Sequence, residues 1–339
     1  MPTSVTDKQP LLDVRDLRVD MRGEHGWVTI VDGVNLTIHA GETVGLVGES
    51  GSGKTLTSLA LMRLLPQNAR LSGRISLDGR DLTSLSSREM NAVRATELAM
   101  VFQEPRRSLN PAFTVGHQVE EVLRAHRVAS RREARRRTAE LFDLVGIPSP
   151  AERIDHYPHE FSGGMCQRVM LAMAIACEPR MLIADEPTTA LDVTVQREVL
   201  ELILELQERL QLGVLLITHD LGIVGEVCDR GAVMYAGQVV EDAPIMEIFD
   251  RPAHPYTAGL LQSVPEALQR HQRLGGIPGL VPPPHLLPAG CRFHPRCPLA
   301  DGPRCESEPT PVQTVGAGDH LVQCARAHEG LDLKGAFGG

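Results

Sequence analysis

The sequence predicts an α/β fold with four parts: a parallel core sheet covered by helices, an N-terminal antiparallel β region, a helical insertion and a small cysteine-bearing C-terminal appendage. Three observations predict it. Short apolar runs at Thr43–Val47, Met181–Ala184 and Val214–Ile217 alternate with helix-period segments, the pattern of parallel strands joined by crossover helices. A glycine-rich turn links the first of these runs to a helical pattern over Lys54–Leu65. Beyond about residue 250 the texture changes, with prolines and four of the seven cysteines.

Residues 11–47 read as strand segments, LLDVRDLRVDM followed by VTIVDGVNLTI and the apolar Thr43-Val44-Gly45-Leu46-Val47. Residues 108–180 read as mostly helical, and VQREVLELILELQERL separates the later two strands as a strongly periodic helix. The arginines at 131, 132, 135, 136 and 137 lie in a predicted helix with acidic neighbours, and read as a solvated face. We place one domain at 11–250, its helical part at about 108–180, and a second at 251–330.

Composition narrows the function. With 34 Lys and Arg against 43 Asp and Glu, the net charge of −9 argues against a general nucleic-acid binder. The start, MPTSVTDKQP, does not read as a signal peptide. The longest apolar run, Val169–Cys177, has nine residues, where a spanning helix needs about 20. A membrane role is therefore expected to come through partners.

Gly48-Glu49-Ser50-Gly51-Ser52-Gly53-Lys54-Thr55 matches G-x-x-x-x-G-K-[ST], after a strand and before a helix. Such a loop aims backbone N–H groups at phosphate oxygens, with the positive helix end behind them. Lys54 is expected to reach the β- and γ-phosphates and the Thr55 hydroxyl to ligate Mg²⁺. Ser50, Gly51, Ser52, Gly53 and Thr57 complete the expected nucleotide contacts. The expected core is a P-loop NTPase of RecA-like type, and the loop alone does not distinguish kinases, GTPases and transport ATPases.

Asp185 and Glu186 end an apolar strand. Asp185 suits the Mg²⁺ shell, and Glu186 suits accepting a proton from, or orienting, an attacking water. Phe161-Ser162-Gly163-Gly164 opens a long helix, so a hydroxyl and bare N–H groups stand at its positive end, an arrangement that suits a γ-phosphate. His219 directly follows the Val214–Ile217 run and Thr218, placed to contact the same phosphate.

The P-loop, Gln103, Ser162-Gly163-Gly164, Asp185-Glu186-Pro187, Ala190-Leu191-Asp192 and His219, in this order, resemble the ATPase subunits of ABC transporters. The resemblance implies that Ser162, Gly163 and Gly164 act in trans on nucleotide held by a second ATPase subunit, a paralogue or a second copy. It also implies that Gln103 senses Mg²⁺ and the water, and that Asp192 organises the dimer. Two permease subunits would cross the membrane, and the chain would work peripherally on the cytoplasmic face of the inner membrane. Phe161 stands where this family usually has Leu. Trp27, the one tryptophan, is the candidate to stack on adenine, with Val28 the alternative.

Ser108-Leu109-Asn110-Pro111, Tyr235-Ala236-Gly237-Gln238-Val239-Val240-Glu241, His254-Pro255-Tyr256-Thr257 and Gly290-Cys291-Arg292-Phe293-His294-Pro295-Arg296-Cys297-Pro298 are similar to the oligopeptide and dipeptide permease ATPases, closest to the dipeptide subunits. The implied function is ATP hydrolysis powering import of di- and oligopeptides delivered by an extracytoplasmic solute-binding protein. Nickel or another small solute, or a non-transport ABC ATPase, are the alternatives. Cys291, Cys297, Cys305 and Cys324, spaced C-x5-C-x7-C-x18-C, suit a closed zinc site or an iron–sulfur cluster. Some members of the resembled subfamily hold a 4Fe-4S cluster at matching cysteines, which favours iron. Zinc, unligated thiols and disulfides stay open. His294 and His320 are potential ligands, with a surface role favoured for each.

Overall fold

The computed structural model describes residues 9–337 apart from 25, 190, 264–275, 317, 332, 334 and 335. Ala190 of the Ala190-Leu191-Asp192 motif therefore lies outside the described residues. The strands are β1 (Leu12–Gly23), β2 (Gly26–Ile38), β3 (Thr43–Val47), β4 (Ala69–Leu77), β5 (Arg80–Asp81), β6 (Leu98–Val101), β7 (Met181–Asp185), β8 (Gly213–Thr218), β9 (Arg230–Tyr235), β10 (Gln238–Pro244), β11 (Gln313–Val315) and β12 (His320–Val322). The chain forms two compact units, one of Met1–Leu12, Ile38–Glu42 and Ser76–Leu215, the other of Asp13–Thr37, Thr43–Ile75 and Leu216–Gly339.

In the first unit β6 and β7 pair in parallel, with Leu98 opposite Met181 and Val101 opposite Ala184. Every residue of β7 is buried, which is why the strand reads as an unbroken apolar run. The expected helical stretch is present as Val115–Ala125, Arg131–Leu144, Pro150–Arg153 and Gly163–Ile175, with Phe142, Val119 and Leu171 among its fully buried side chains. The arginine-rich face is solvated as expected. Arg135 reaches Asp155 at 2.7 Å, and Arg136 pairs with Glu140. Phe161 is buried against the edge of the His156 ring, so its place in the signature is a packed one.

The helix Val193–Leu210 starts on Asp192, whose Oδ1 accepts the Val195 N–H at 3.0 Å. It buries Val199, Leu202, Ile203 and Leu206 along one stripe. It stops where Gln211 turns left-handed at φ 53°.

In the second unit β2, β1 and the first part of β4 are neighbours, forming the N-terminal β region. β3 pairs in parallel with β9, Val44 opposite Arg230 and Val47 opposite Val233. β9 returns antiparallel as β10 through Ala236 and Gly237, with φ of 45° and 89°, the two left-handed residues of a tight hairpin turn. The C-terminal strands extend this arrangement: β12 pairs antiparallel with β10, Glu241 opposite Val322, and β11 pairs with β12. The helix after the glycine-rich turn spans Lys54–Leu61 and not Lys54–Leu65. Arg63 takes a left-handed φ of 50°, a turn that apolar spacing does not encode.

No described helix is long and apolar enough to cross a membrane.

Candidate functional site

In the second unit the turn after β3 closes tightly on the hairpin of β9 and β10. A Cβ on Gly48 would lie 2.1 Å from the Met234 carbonyl oxygen, and Gly53 has φ 105°, so each position admits only a glycine without rearrangement. Lys54 opens the following helix and is buried, 5% exposed. Its ammonium lies within the loop, donating to the Gly48 carbonyl at 2.7 Å and the Glu49 carbonyl at 3.0 Å. Thr55, Ser50 and Gly51 face solvent. Thr57 is buried, and its hydroxyl donates to the Gly53 carbonyl at 3.1 Å. His219 is exposed and follows β8, the strand beside β3. Trp27 is 39% exposed, and the Arg70 guanidinium lies 3.7 Å from its ring centroid.

In the first unit the register of β6 on β7 sets Gln103 and Glu186 at equivalent steps, each two residues past the Val101–Ala184 pair. The Gln103 amide donates to the Glu186 carboxylate at 2.8 Å. The Thr189 hydroxyl donates to the same oxygen, also at 2.8 Å. Glu186 itself has φ 47°, a left-handed conformation costing about 1–2 kcal/mol for a residue with a Cβ, and such strain gathers at functional positions. Asp185, one residue earlier, is 2% exposed at the end of β7. Ser162 caps the helix Gly163–Ile175, accepting the Met165 N–H at 3.2 Å. Ser162 and Asp192 are both exposed.

A protein-family model for the ABC transporter matches residues 31–189, and one for the oligopeptide/dipeptide transporter C-terminal region matches 240–305. A Brucella abortus protein named as a peptide import ATP-binding protein is 52% identical over 310 residues, 91% of this chain and 93% of that one. This chain belongs to the ABC transporter family, as an ATP-binding subunit. A Sinorhizobium fredii relative named as a peptide ABC transporter ATP-binding protein is 48% identical over 326 residues, 95% of this chain and 97% of its own. Among solved structures, an ATP-binding cassette captured as a dimer with ADP and Pi in a post-hydrolysis state superposes with a TM-score of 0.61 at 27% identity, covering 69% of this chain and 98% of that one. The cbiO1 subunit of the Clostridium perfringens cbiONQ complex gives 0.61 at 28% identity, with 72% and 92% covered. The α/β ATPase fold expected from the sequence is thus that of the family.

The four C-terminal cysteines line one small pocket together with His254, Phe293 and His294. Burial pushes the Cys297 thiol up to about 12 and Cys324 to about 11, with repulsion from neighbouring thiols adding to it. The donor chemistry suits a thiophilic metal. Yet among the described residues no three His, Cys, Asp or Glu side chains are grouped as ligands of one ion, so this structure shows convergence of the thiols and not a metal site.

His320 departs from the expected surface role. Its side chain is 7% exposed, with Nε2 2.7 Å from the buried Glu241 carboxylate, which also accepts the Ala253 and His254 N–H groups at 2.7 and 2.9 Å. His294 is half-buried, with Nδ1 3.1 Å from the Cys291 carbonyl.

Sequence reasoning missed Tyr256 and Arg296 as neighbours of the phosphate loop. The Tyr256 hydroxyl accepts the Glu49 N–H at 2.9 Å. The Arg296 guanidinium holds the Glu49 carboxylate at 2.6 and 3.0 Å. Both lie in segments whose one sequence signal is the family resemblance, and no spacing rule pairs positions more than 200 residues apart.

Proposed function

We propose that this chain binds and hydrolyses ATP to power an ABC importer of di- and oligopeptides. Glu186 carries the catalytic part of the reading: it is a strained carboxylate, oriented by Gln103 and Thr189, directly after the buried Asp185. Held in this way, Glu186 is suited to take a proton from the attacking water, and Gln103 fixes which oxygen faces it. Lys54 and the loop N–H groups of Ser50, Gly51, Ser52 and Gly53 bind the phosphates, with Thr57 supporting the loop through Gly53. His219 contacts the γ-phosphate, and Trp27 stacks on adenine. Thr55, Asp185 and Gln103 would hold Mg²⁺, which when bound neutralises developing phosphate charge.

Ser162, Gly163, Gly164 and Asp192 serve a second ATPase subunit, so the working unit is a dimer beneath two permease subunits. The peripheral position is the cytoplasmic face of the inner membrane, with an extracytoplasmic solute-binding protein delivering cargo. The domains are 11–250, with a helical part at about 108–180, and 251–330. The peptide cargo rests on the C-terminal region match and on relatives named for peptide import or peptide ABC transport. The four thiols share one pocket, and the preference for a 4Fe-4S cluster over zinc rests on the resemblance to subfamily members that hold one at matching cysteines. Elemental analysis of an anaerobic preparation tests this: iron with sulfide supports the cluster, and zinc or neither metal excludes it.

The deciding experiment for function is reconstitution with the co-purifying membrane subunits and binding protein in vesicles. ATP hydrolysis stimulated by short peptides, with their uptake, is the expected result. Stimulation by nickel alone, or absence of membrane partners, overturns the cargo or the transport reading.

A further inference from the structure

The phosphate loop carries one acidic side chain, Glu49, inside a motif whose task is to bind a polyanion. A carboxylate there opposes the triphosphate unless something cancels it. Within the second unit the cancelling charge comes from the C-terminal region. Arg296 is 6% exposed and clasps Glu49 with both terminal nitrogens, at 2.6 and 3.0 Å, the fork geometry of a strong arginine–carboxylate pair. Its Nε is committed to the Pro278 carbonyl at 2.8 Å, so the guanidinium is fixed from two sides. The main chain of the same loop residue is also held, by the Tyr256 hydroxyl on the Glu49 N–H. Tyr256, Tyr235 and Phe293 form a buried aromatic cluster with ring centroids 4.7, 5.2 and 5.4 Å apart, which gives both holding groups a rigid base.

We propose that Arg296 is a positioning residue for nucleotide: by pairing with Glu49 it removes the repulsion that the loop's own carboxylate would exert on bound phosphates. The C-terminal region thereby sets the affinity of the phosphate loop. The inference rests on the ATP-binding reading of that loop.

The test measures MgATP affinity of the full chain by equilibrium titration at low and moderate salt. Arg296→Met should weaken binding about tenfold, more at low salt, because an exposed repulsion is screened as ionic strength rises. Adding Glu49→Gln to Arg296→Met should bring binding back to within about twofold of wild type, because the uncompensated charge is gone. Glu49→Gln alone should bind at least as tightly as wild type. A double variant as weak as Arg296→Met, or a Glu49→Gln variant equally weak, means that the pair is only an anchor and overturns the proposal. If Arg296→Met does not fold, Arg296→Lys, which keeps the charge, should bind within about threefold of wild type, and a tenfold loss there is equally fatal. Wild-type protein that binds no MgATP refutes instead the nucleotide reading of the loop.

Discussion

Gln103 and Glu186 meet because their strands pair in parallel with a fixed register: two residues past the Val101–Ala184 pair, the amide donates to the carboxylate at 2.8 Å. The pair couples the end of β6 to the end of β7, so either residue can be changed with a defined expectation.

Gln103→Ala removes the donor that orients Glu186 while leaving the Thr189 hydroxyl on the same oxygen. A hydrogen bond to a charged group contributes about 1.5–3 kcal/mol, so kcat should fall roughly ten- to hundredfold, and MgATP affinity should fall by less, since Gln103 is one of three residues proposed to hold Mg²⁺. Phosphate release against ATP concentration separates the two parameters. An unchanged kcat would show that Gln103 does not orient the carboxylate.

Glu186→Gln keeps the shape of the side chain and abolishes its basicity. Loss of a positioned base costs roughly 10²–10⁴-fold, while nucleotide should still bind. Single-turnover hydrolysis with retention of radiolabelled ATP measures both. Wild-type turnover in this variant would remove Glu186 from the catalytic role.

Gly48→Ala places a Cβ 2.1 Å from the Met234 carbonyl, an overlap with main chain that no side-chain rotation relieves. Overpacking of this kind costs about 1–3 kcal/mol. Both melting temperature and ATP affinity should drop, and a fully stable, fully binding variant would contradict the closeness of β9 to the loop.

His254 supplies a pH dependence of stability. It is buried, its Nδ1 accepts the Tyr256 N–H at 3.0 Å, and burial holds its pKa down at about 4, with Glu241 opposing the shift. The unfolded histidine takes up a proton near pH 6.5, so the folded state is favoured fully above that value. The contribution is lost as pH falls from about 6.5 to 4, reaching about 3 kcal/mol. Denaturant melts at pH 7.5, 5.5 and 4.5 should show this loss in wild type and a flatter profile in His254→Asn, which keeps an acceptor for the helix cap. Parallel profiles would assign the acid sensitivity to other groups.

Much of the fold was legible because its signals are local. β7 and β8 are buried on both faces and read as unbroken apolar runs. The 193–210 helix declares itself through its stripe and its Asp192 cap. Helix ends and C-terminal strands were less legible. The stop at Leu61 depends on the left-handed Arg63. β11 and β12 are three-residue strands completed by β10, too short to carry a period of their own. The burial of His320 is not legible either, because a lone histidine in a polar stretch gives no sign of the Glu241 carboxylate 79 residues away.

The sequence alone determined the glycine-rich loop Gly48–Thr55, the strand-end Asp185-Glu186 pair and the helix opened by Ser162, because each is a contiguous motif whose backbone geometry follows from its own residues. The tertiary structure decided what those motifs touch. The register of β6 on β7 gave Glu186 its Gln103 donor, and the packing of the C-terminal region gave Glu49 its Arg296 and Tyr256 partners. Such contacts depend on chain closure over 83 to 247 residues, and charge, burial and strand register are properties of the packed molecule and not of any one segment.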